Sequence, residues 1–248
     1  MHNLSNSSIV AGLMKRHGIE PPVSLRDSPQ PPASTGKILV GICSARPHLE
    51  RRAAVRETWM SRAPKEVECF FFVGKGDSRL EGSGDVWELD APDDYDHLPL
   101  KVIAFFTAAL EREFDWLFKC DDDTYVALDR LRTLLDFDVE LVGNETLAAR
   151  GSPSGGAGYL LSRRMVELIA GDQSLPAWGA EDIIIGEAAI RHGAKSESTA
   201  LLRWNATPSP RIDNDLITAH WCSPERMHAI HSAMINPPHR RIRGFSPS

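Results

Sequence analysis

DWLFKCDDDTYV, residues Asp115–Val126, is the stretch from which the fold can be read. Its apolar half, Trp116–Cys120, has the length and side chains of a buried strand and runs without a turn residue into three consecutive aspartates. A strand that ends in carboxylates places them at the edge where open α/β sheets bind ligands. In extended backbone, alternate side chains point to opposite sides, so Asp121 and Asp123 share a side and Asp122 faces the other way. Such a pair suits a hard divalent cation, Mn2+ or Mg2+, which takes oxygen ligands and keeps positions open for phosphate oxygens. Two other readings stand beside this one. One is a solvated acidic turn; the other is a metal-dependent phosphohydrolase of the DxDx[TV] type, although no lysine or second acidic pair is singled out to complete it.

The flanking sequence alternates in the same way. KILVGICS (Lys37–Ser44) is a β-branched apolar run, and HLERRAAVRETW (His48–Trp59) has good helix formers with periodic apolar positions. ECFFFVG (Glu68–Gly74) and DVWELD (Asp85–Asp90) read as strands, and LPLKVIAFFTAALERE (Leu98–Glu113) as a long helix leading into the acidic strand. Downstream, VALDRLRTLLD, RRMVELIA, AEDIIIGEAAIRHG and SPERMHAIHSAMI read as helices, and VELVG, GAGYLLS and LITAHW as strands. Strands alternating with helices imply an α/β fold with a mostly parallel sheet. Residues 1–36, Pro- and Ser-rich, read as a tail; 37–236 form the folded domain; 237–248, basic and broken by prolines, form a second tail.

The chain has 248 residues, 42% of them hydrophobic and 25% charged, with a formal net charge of -6. That length supports a sizeable core, and the acidic balance disfavours nucleic acid as a partner. No apolar run approaches the roughly 20 residues of a membrane-spanning helix, and none forms a signal-peptide core. Cys43, Cys69, Cys120 and Cys222 contain no C-x-x-C pair and are expected to be free thiols in a reducing compartment. The sequons at Asn3, Asn6, Asn144 and Asn205 are read as chance.

Several segments together resemble the inverting β-1,3-glycosyltransferases, the family of the β-1,3-galactosyltransferases and the Fringe enzymes. In order they are RRAAVRETW (51–59), FFVG (71–74), DAPDDYDHLPLK (90–101), FKCDDDTYV (118–126), GGAGYLLSR (155–163), EDIIIG (181–186) and HWCSPERMHAI (220–230). The resemblance spans about residues 37–235. It implies a GT-A type, Rossmann-like fold and a UDP-sugar donor, with Mn2+ or Mg2+ held by Asp121, Asp123 and His220. The acceptor would be a carbohydrate or glycoconjugate hydroxyl.

Arg52 and Arg56, four apart on one helix, could clamp the diphosphate in bidentate fashion, with Asp122 close by. Trp59 reads as core. The resemblance also implies that Asp94 and Lys101 frame the donor pocket. Gly155, Gly156 and Gly158 permit close backbone approach to a sugar, or a tight turn. Of Glu181 and Asp182, which open a helix whose dipole favours an ionised carboxylate, the resemblance implies that one is the general base, and Asp182 is the choice. His228 and His231 read as surface or packing residues.

The transferred sugar is then a hexose or N-acetylhexosamine, joined in a β-1,3 linkage. An inactive sugar- or nucleotide-binding module of the same fold, or a phosphohydrolase, would share much of this sequence. Without a membrane anchor the expected location is the cytoplasm for a bacterial or viral protein. For the catalytic part of a longer eukaryotic protein it is the Golgi lumen.

Overall fold

The protein is described here by a computed structural model covering residues 36–78, 80–136, 138–204 and 216–236, all within one compact unit, Thr35–Ser248. Apart from Gly36, the tails expected at 1–36 and 237–248 lie outside the described residues, as do the sequons at Asn3, Asn6 and Asn205.

The centre is a strand buried on both faces, β1 (Ile38–Cys43), whose run of aliphatic side chains is what an interior parallel strand requires. On one side it pairs in parallel with β2 (Val67–Lys75), which pairs in parallel with β3 (Val86–Pro92). On the other side it pairs in parallel with β4 (Trp116–Asp121). Then come β7 (Tyr159–Ser162), β6 (Leu141–Gly143) and β8 (Ser196–Ser198), giving the order β3-β2-β1-β4-β7-β6-β8. Only β7 runs against its neighbours, so the expected mostly parallel α/β sheet is the one observed. The chain builds outward from β1 to β3 and then crosses to β4 on the far side of β1. That reversal opens a crevice beyond the carboxyl ends of β1 and β4, where Cys43 pairs with Asp121.

Helices cover both faces. Helix α1 (Leu49–Glu57) packs with α6 (Pro224–Ile235) on one face, over a core that includes Val40, Ile42, Val55, Trp59 and Phe118. On the other face lie α2 (Leu98–Ala109), α4 (Arg163–Ala170) and α5 (Glu181–Arg191), over Leu39, Phe72, Phe105, Leu117 and Ile185. Phe105 of α2 stacks on Phe72 with ring centroids 4.3 Å apart. It also occupies the space a Cβ at position 41 would fill, so glycine is required in the middle of β1. Trp59 is core. All four cysteines are free and buried.

Some elements differ from expectation. The segment read as a helix at 126–136 is a 3-10 helix, Leu128–Asp136, because the i, i+3 apolar spacing of LDRLRTLLD serves that tighter turn as well as an α-helix. Helix α2 stops at Ala109 rather than Glu113, with Glu111 and Arg112 in a turn. A short helix, α3 (Glu145–Arg150), was not foreseen; it ends at Gly151, whose φ of +74° makes a left-handed cap. Asn144 before it is enclosed, its Oδ1 accepting from Thr146 Oγ1 at 2.6 Å and from Ser154 N at 3.0 Å.

A second, small sheet completes the molecule: β5 (Tyr125–Val126), β10 (Thr218–Ala219) and β9 (Leu202–Arg203), in the order β5-β10-β9. It begins two residues after Asp123 and ends one residue before His220, so its ladder fixes those two residues relative to each other.

Candidate active site

Asp121 ends β4, Asp122 and Asp123 follow in a turn closed by Thr124 N donating to Asp121 O at 3.1 Å, and the three carboxylates part there. Asp122 turns back beneath β1. Its N–H donates to Cys43 O at 3.0 Å, and its carboxylate accepts from Ser44 Oγ (2.6 Å), His48 Nδ1 (2.9 Å) and Arg51 Nη1 (3.1 Å). Burial would raise its pKa, but the hydrogen bonds from His48 and Ser44 and the Arg51 guanidinium outweigh that and hold the carboxyl below its ordinary value.

Asp121 and Asp123 face the crevice, and His220 arrives from β10. One ligand atom from each of Asp121, Asp123 and His220 can be chosen so that all lie within 4.8 Å of one another. The histidine is aimed by its other nitrogen: Nδ1 lies 3.2 Å from the carbonyl oxygen of Trp204. A carbonyl only accepts, so in this arrangement Nδ1 carries a hydrogen and Nε2 is the nitrogen turned to the crevice. That nitrogen lies 3.2 Å from Asp123 Oδ1. By distance this is a close contact, yet Oδ1 is buried and has no hydrogen bond. A buried carboxylate oxygen without a hydrogen bond is a group that a cation would satisfy, and the O,O,N donor set fits a divalent metal.

Two local features admit this geometry. A Cβ at position 156 would fall within the His220 ring, so only glycine leaves room for it, and Thr124 Oγ1 fixes the Gly156 carbonyl at 2.7 Å. Trp221, the residue after His220, holds a left-handed φ of 60°, which is costly for a bulky side chain. Hydrogen bonds on both sides, His220 N to Arg203 O (3.1 Å) and Cys222 N to Asp123 O (2.8 Å), impose it.

Opposite stands the start of α5. Glu181 is buried beside Lys119, whose Nζ donates to Glu181 Oε2 (3.2 Å), Asp121 Oδ1 (2.9 Å) and Gly155 O (3.2 Å), while Tyr159 donates to Glu181 Oε1. Burial would lower the Lys119 pKa, but Asp121 and Glu181 hold it well above its usual value. Glu181 itself is raised by burial despite the lysine and the tyrosine. Asp182 is the more open of the pair. Its Oδ2 accepts from Gly155 N at 3.2 Å and its Oδ1 from Ile183 N at 2.9 Å, backbone bonds that orient the carboxylate and leave it lone pairs for another donor. Gly158, with φ of +98°, packs against the Phe118 ring and Lys119 O, and so turns the loop toward β7.

Galactosyltransferase is the description of the sequence family that matches residues 50–149. The mouse β-1,3-galactosyltransferase 6 is 29% identical over 198 residues, covering 62% of this chain and 60% of its own. A hydroxyproline O-galactosyltransferase of Arabidopsis thaliana is 25% identical over 245 residues, covering 81% of this chain and 35% of its own. The chain is thus similar to the galactosyltransferases, the β-1,3-galactosyltransferases among them. It spans between about a third and three fifths of the length of these relatives. Among solved structures, a mannosyltransferase from Pyrobaculum calidifontis in complex with GDP-Man and Mn2+ aligns with a TM-score of 0.46 and 12% identity, over 77% of this chain and 61% of its own.

In this chain, four residues expected at the donor pocket have other occupations. Arg52 is 0% exposed, and its guanidinium is taken up by Glu81 (2.9 and 3.0 Å), Ser44 Oγ (2.9 Å) and the carbonyls of Ala45 and Arg46 (2.6 and 3.0 Å), leaving no N–H for a diphosphate. Arg56 makes its bidentate pair with Asp85, at 2.8 and 2.9 Å, and lies over the Phe71 ring. Asp94 turns outward to cap the entry to α2, accepting from His97 N at 2.9 Å. Lys101 is buried and donates to Ser44 O (2.9 Å) and to Asp93 (3.0 Å), bracing the loop that holds Asp122.

The arginine at the site is instead Arg51, 3.1 Å from Asp122 and 3.3 Å from Asp123, with two fifths of its side chain open to solvent. The helical period already carried this distinction: positions 52, 55 and 59 form one stripe, and two of them are Val55 and Trp59, so Arg52 faces inward. Lys119 and Tyr159 carried no comparable signal, because each sits in an apolar strand where alternation alone does not mark a polar side chain as functional.

Proposed function

We propose that this chain is a metal-dependent inverting glycosyltransferase. It moves a hexose or N-acetylhexosamine from a UDP-sugar to a carbohydrate hydroxyl, forming a β-1,3 linkage. The observation that carries this reading is the set Asp121, Asp123 and His220 at the crevice, with a buried, unbonded Asp123 oxygen facing His220, in a chain whose residues 50–149 match the galactosyltransferase family.

Asp121, Asp123 and His220 would hold the cation, which when bound supplies charge neutralisation for the departing diphosphate. Arg51 lies beside the same carboxylates and adds a positive charge on the leaving-group side. Asp182 is the base. Oriented by the N–H groups of Gly155 and Ile183, it takes the proton of the acceptor hydroxyl as that oxygen bonds to the anomeric carbon and the anomeric carbon–phosphate oxygen bond breaks, releasing UDP. Glu181 does not take part in proton transfer; with Lys119 and Tyr159 it anchors the start of α5 so that Asp182 stays in place.

The test is turnover of UDP-galactose and related donors against a carbohydrate panel, with Mn2+ and with excess chelator. Transfer that requires metal and is lost in Asp182→Asn is expected. Unchanged transfer in Asp182→Asn would overturn the base assignment. Donor binding without transfer would indicate an inactive module, and phosphate release from simple esters a phosphohydrolase.

A further inference from the structure

Outside the acidic cluster lies a cleft of about 470 Å3 lined by Tyr95, Asp96, His97, Trp178, Gly179 and Ala180. One wall is the loop between β3 and α2, the other the loop between α4 and α5. The two are tied by Gly179 N donating to Asp96 O at 3.3 Å, and Gly179 adopts a φ of +118° that few other residues could hold there. Tyr95 is 85% exposed and Trp178 71% exposed, both lining this one cleft. A single exposed aromatic is unremarkable in a protein surface; two sharing a concave site of ligand size, rimmed by polar groups, is the composition of a small-molecule pocket.

We infer that this cleft is the acceptor subsite, and that it seats a pyranose ring of the glycan receiving the transferred sugar. The inference rests on the glycosyltransferase reading above and specifies where its second substrate binds. A pyranose offers a face of C–H groups to an aromatic ring and a girdle of hydroxyls to polar neighbours. Tyr95 and Trp178 supply the first surface, and the Asp96 carboxylate and His97 supply partners for the second.

The location agrees with the chemistry. Ala180, in the cleft wall, is two residues from Asp182, at most about 7 Å along the chain. The opposite wall leads through Asp93 and Lys101 to Ser44 and thence to Asp122. A sugar in the cleft therefore lies against the segment that leads into α5, the helix that carries the base assigned above.

The experiment compares the wild-type chain with Trp178→Ala, Tyr95→Ala and Trp178→Phe, following acceptor-independent UDP-sugar hydrolysis, transfer to a panel of methyl pyranosides, and saturation-transfer NMR of those pyranosides. Trp178→Ala and Tyr95→Ala are expected to raise the acceptor KM about 5- to 20-fold. They leave donor KM and donor hydrolysis within about twofold and weaken the NMR signal from pyranoside C–H protons, while Trp178→Phe retains most of the acceptor affinity. Wild-type transfer with an unchanged acceptor KM in both alanine variants would overturn the subsite, as would an equal loss of donor hydrolysis. If the wild type neither hydrolyses donor nor transfers, the glycosyltransferase reading fails, and the NMR comparison still decides whether the cleft binds a pyranose.

Discussion

At Arg52 a guanidinium with no exposed surface is held by Glu81, Ser44 and two carbonyls, whereas its neighbour Arg51 reaches Asp122 and Asp123 from the solvent side. The two should respond to truncation in opposite ways. Arg52→Ala leaves the Ala45 and Arg46 carbonyls without their partner and Glu81 with Arg56 alone, at 3.4 Å, and removing one member of a buried pair costs about 3–5 kcal/mol; thermal unfolding should show a large loss of stability. Arg51→Ala should leave the unfolding temperature nearly unchanged and lower donor turnover instead. A stable Arg52→Ala would contradict the structural role given to that residue. Gly156→Ala is a second residue-scale test. The added methyl would fall within the His220 ring, so the ring must move off Asp123. The fold should survive with a modest loss of stability, while the Mn2+ concentration needed for half-maximal activity rises about tenfold or more.

At the scale of elements, the strong strands and helices were legible because their patterns are strong. β1, β2 and β4 are apolar runs buried on both faces, and Arg163–Ala170 folds as the helix its sequence suggests. What the pattern could not give was pairing. GAGYLLS is readable as a strand, but its antiparallel place between β4 and β6 depends on partners far along the chain. The two-residue strands β5, β9 and β10 are too short to show alternation. Yet the β5 and β10 ladder is what brings His220 to Asp123. The triplet divides into one inward and two crevice-facing carboxylates, as strand alternation suggested, but it does so in a turn after β4, where Thr124 N donates to Asp121 O, and not in extended backbone.

The contact between α4 and α5 also carries a pH-dependent element. Asp172, just past α4, accepts from Ser174 N (3.0 Å), Ser174 Oγ (2.6 Å), Arg191 Nη2 (2.6 Å) and His192 Nε2 (2.9 Å). The Ser174 hydroxyl, the Arg191 guanidinium and the Ser174 N–H hold its carboxyl below the usual value. A carboxyl depressed by folding stabilises the protein above its unfolded pKa of about 4, and that contribution fades as pH falls through the lower folded value. Asp172→Asn should therefore melt below the wild type by a constant margin between about pH 5 and 7, and the margin should close as the pH drops below about 4. A margin independent of pH would show that the aspartate's charge contributes nothing.

For the whole molecule, the proposed metal set is discontinuous. Asp121 ends a strand of the main sheet, Asp123 lies in the turn after it and His220 follows a strand of the small sheet, so the three meet only when both sheets are formed. A cation held by them binds the folded state and finds no such site in the unfolded chain, which makes its affinity a contribution to stability. At a free concentration 100 times its Kd, a ligand selective for the folded state adds about 2.7 kcal/mol. In a domain of this size each kcal/mol is worth about 2–4 °C, so Mn2+ should raise the melting temperature by about 5–11 °C. The rise should be absent in His220→Ala and in Asp123→Asn, and EDTA should reverse it in the wild type. An equal rise in His220→Ala would mean that the cation binds elsewhere. No rise in the wild type at millimolar Mn2+ would mean that the buried oxygen of Asp123 is left unpaired for some reason other than metal binding.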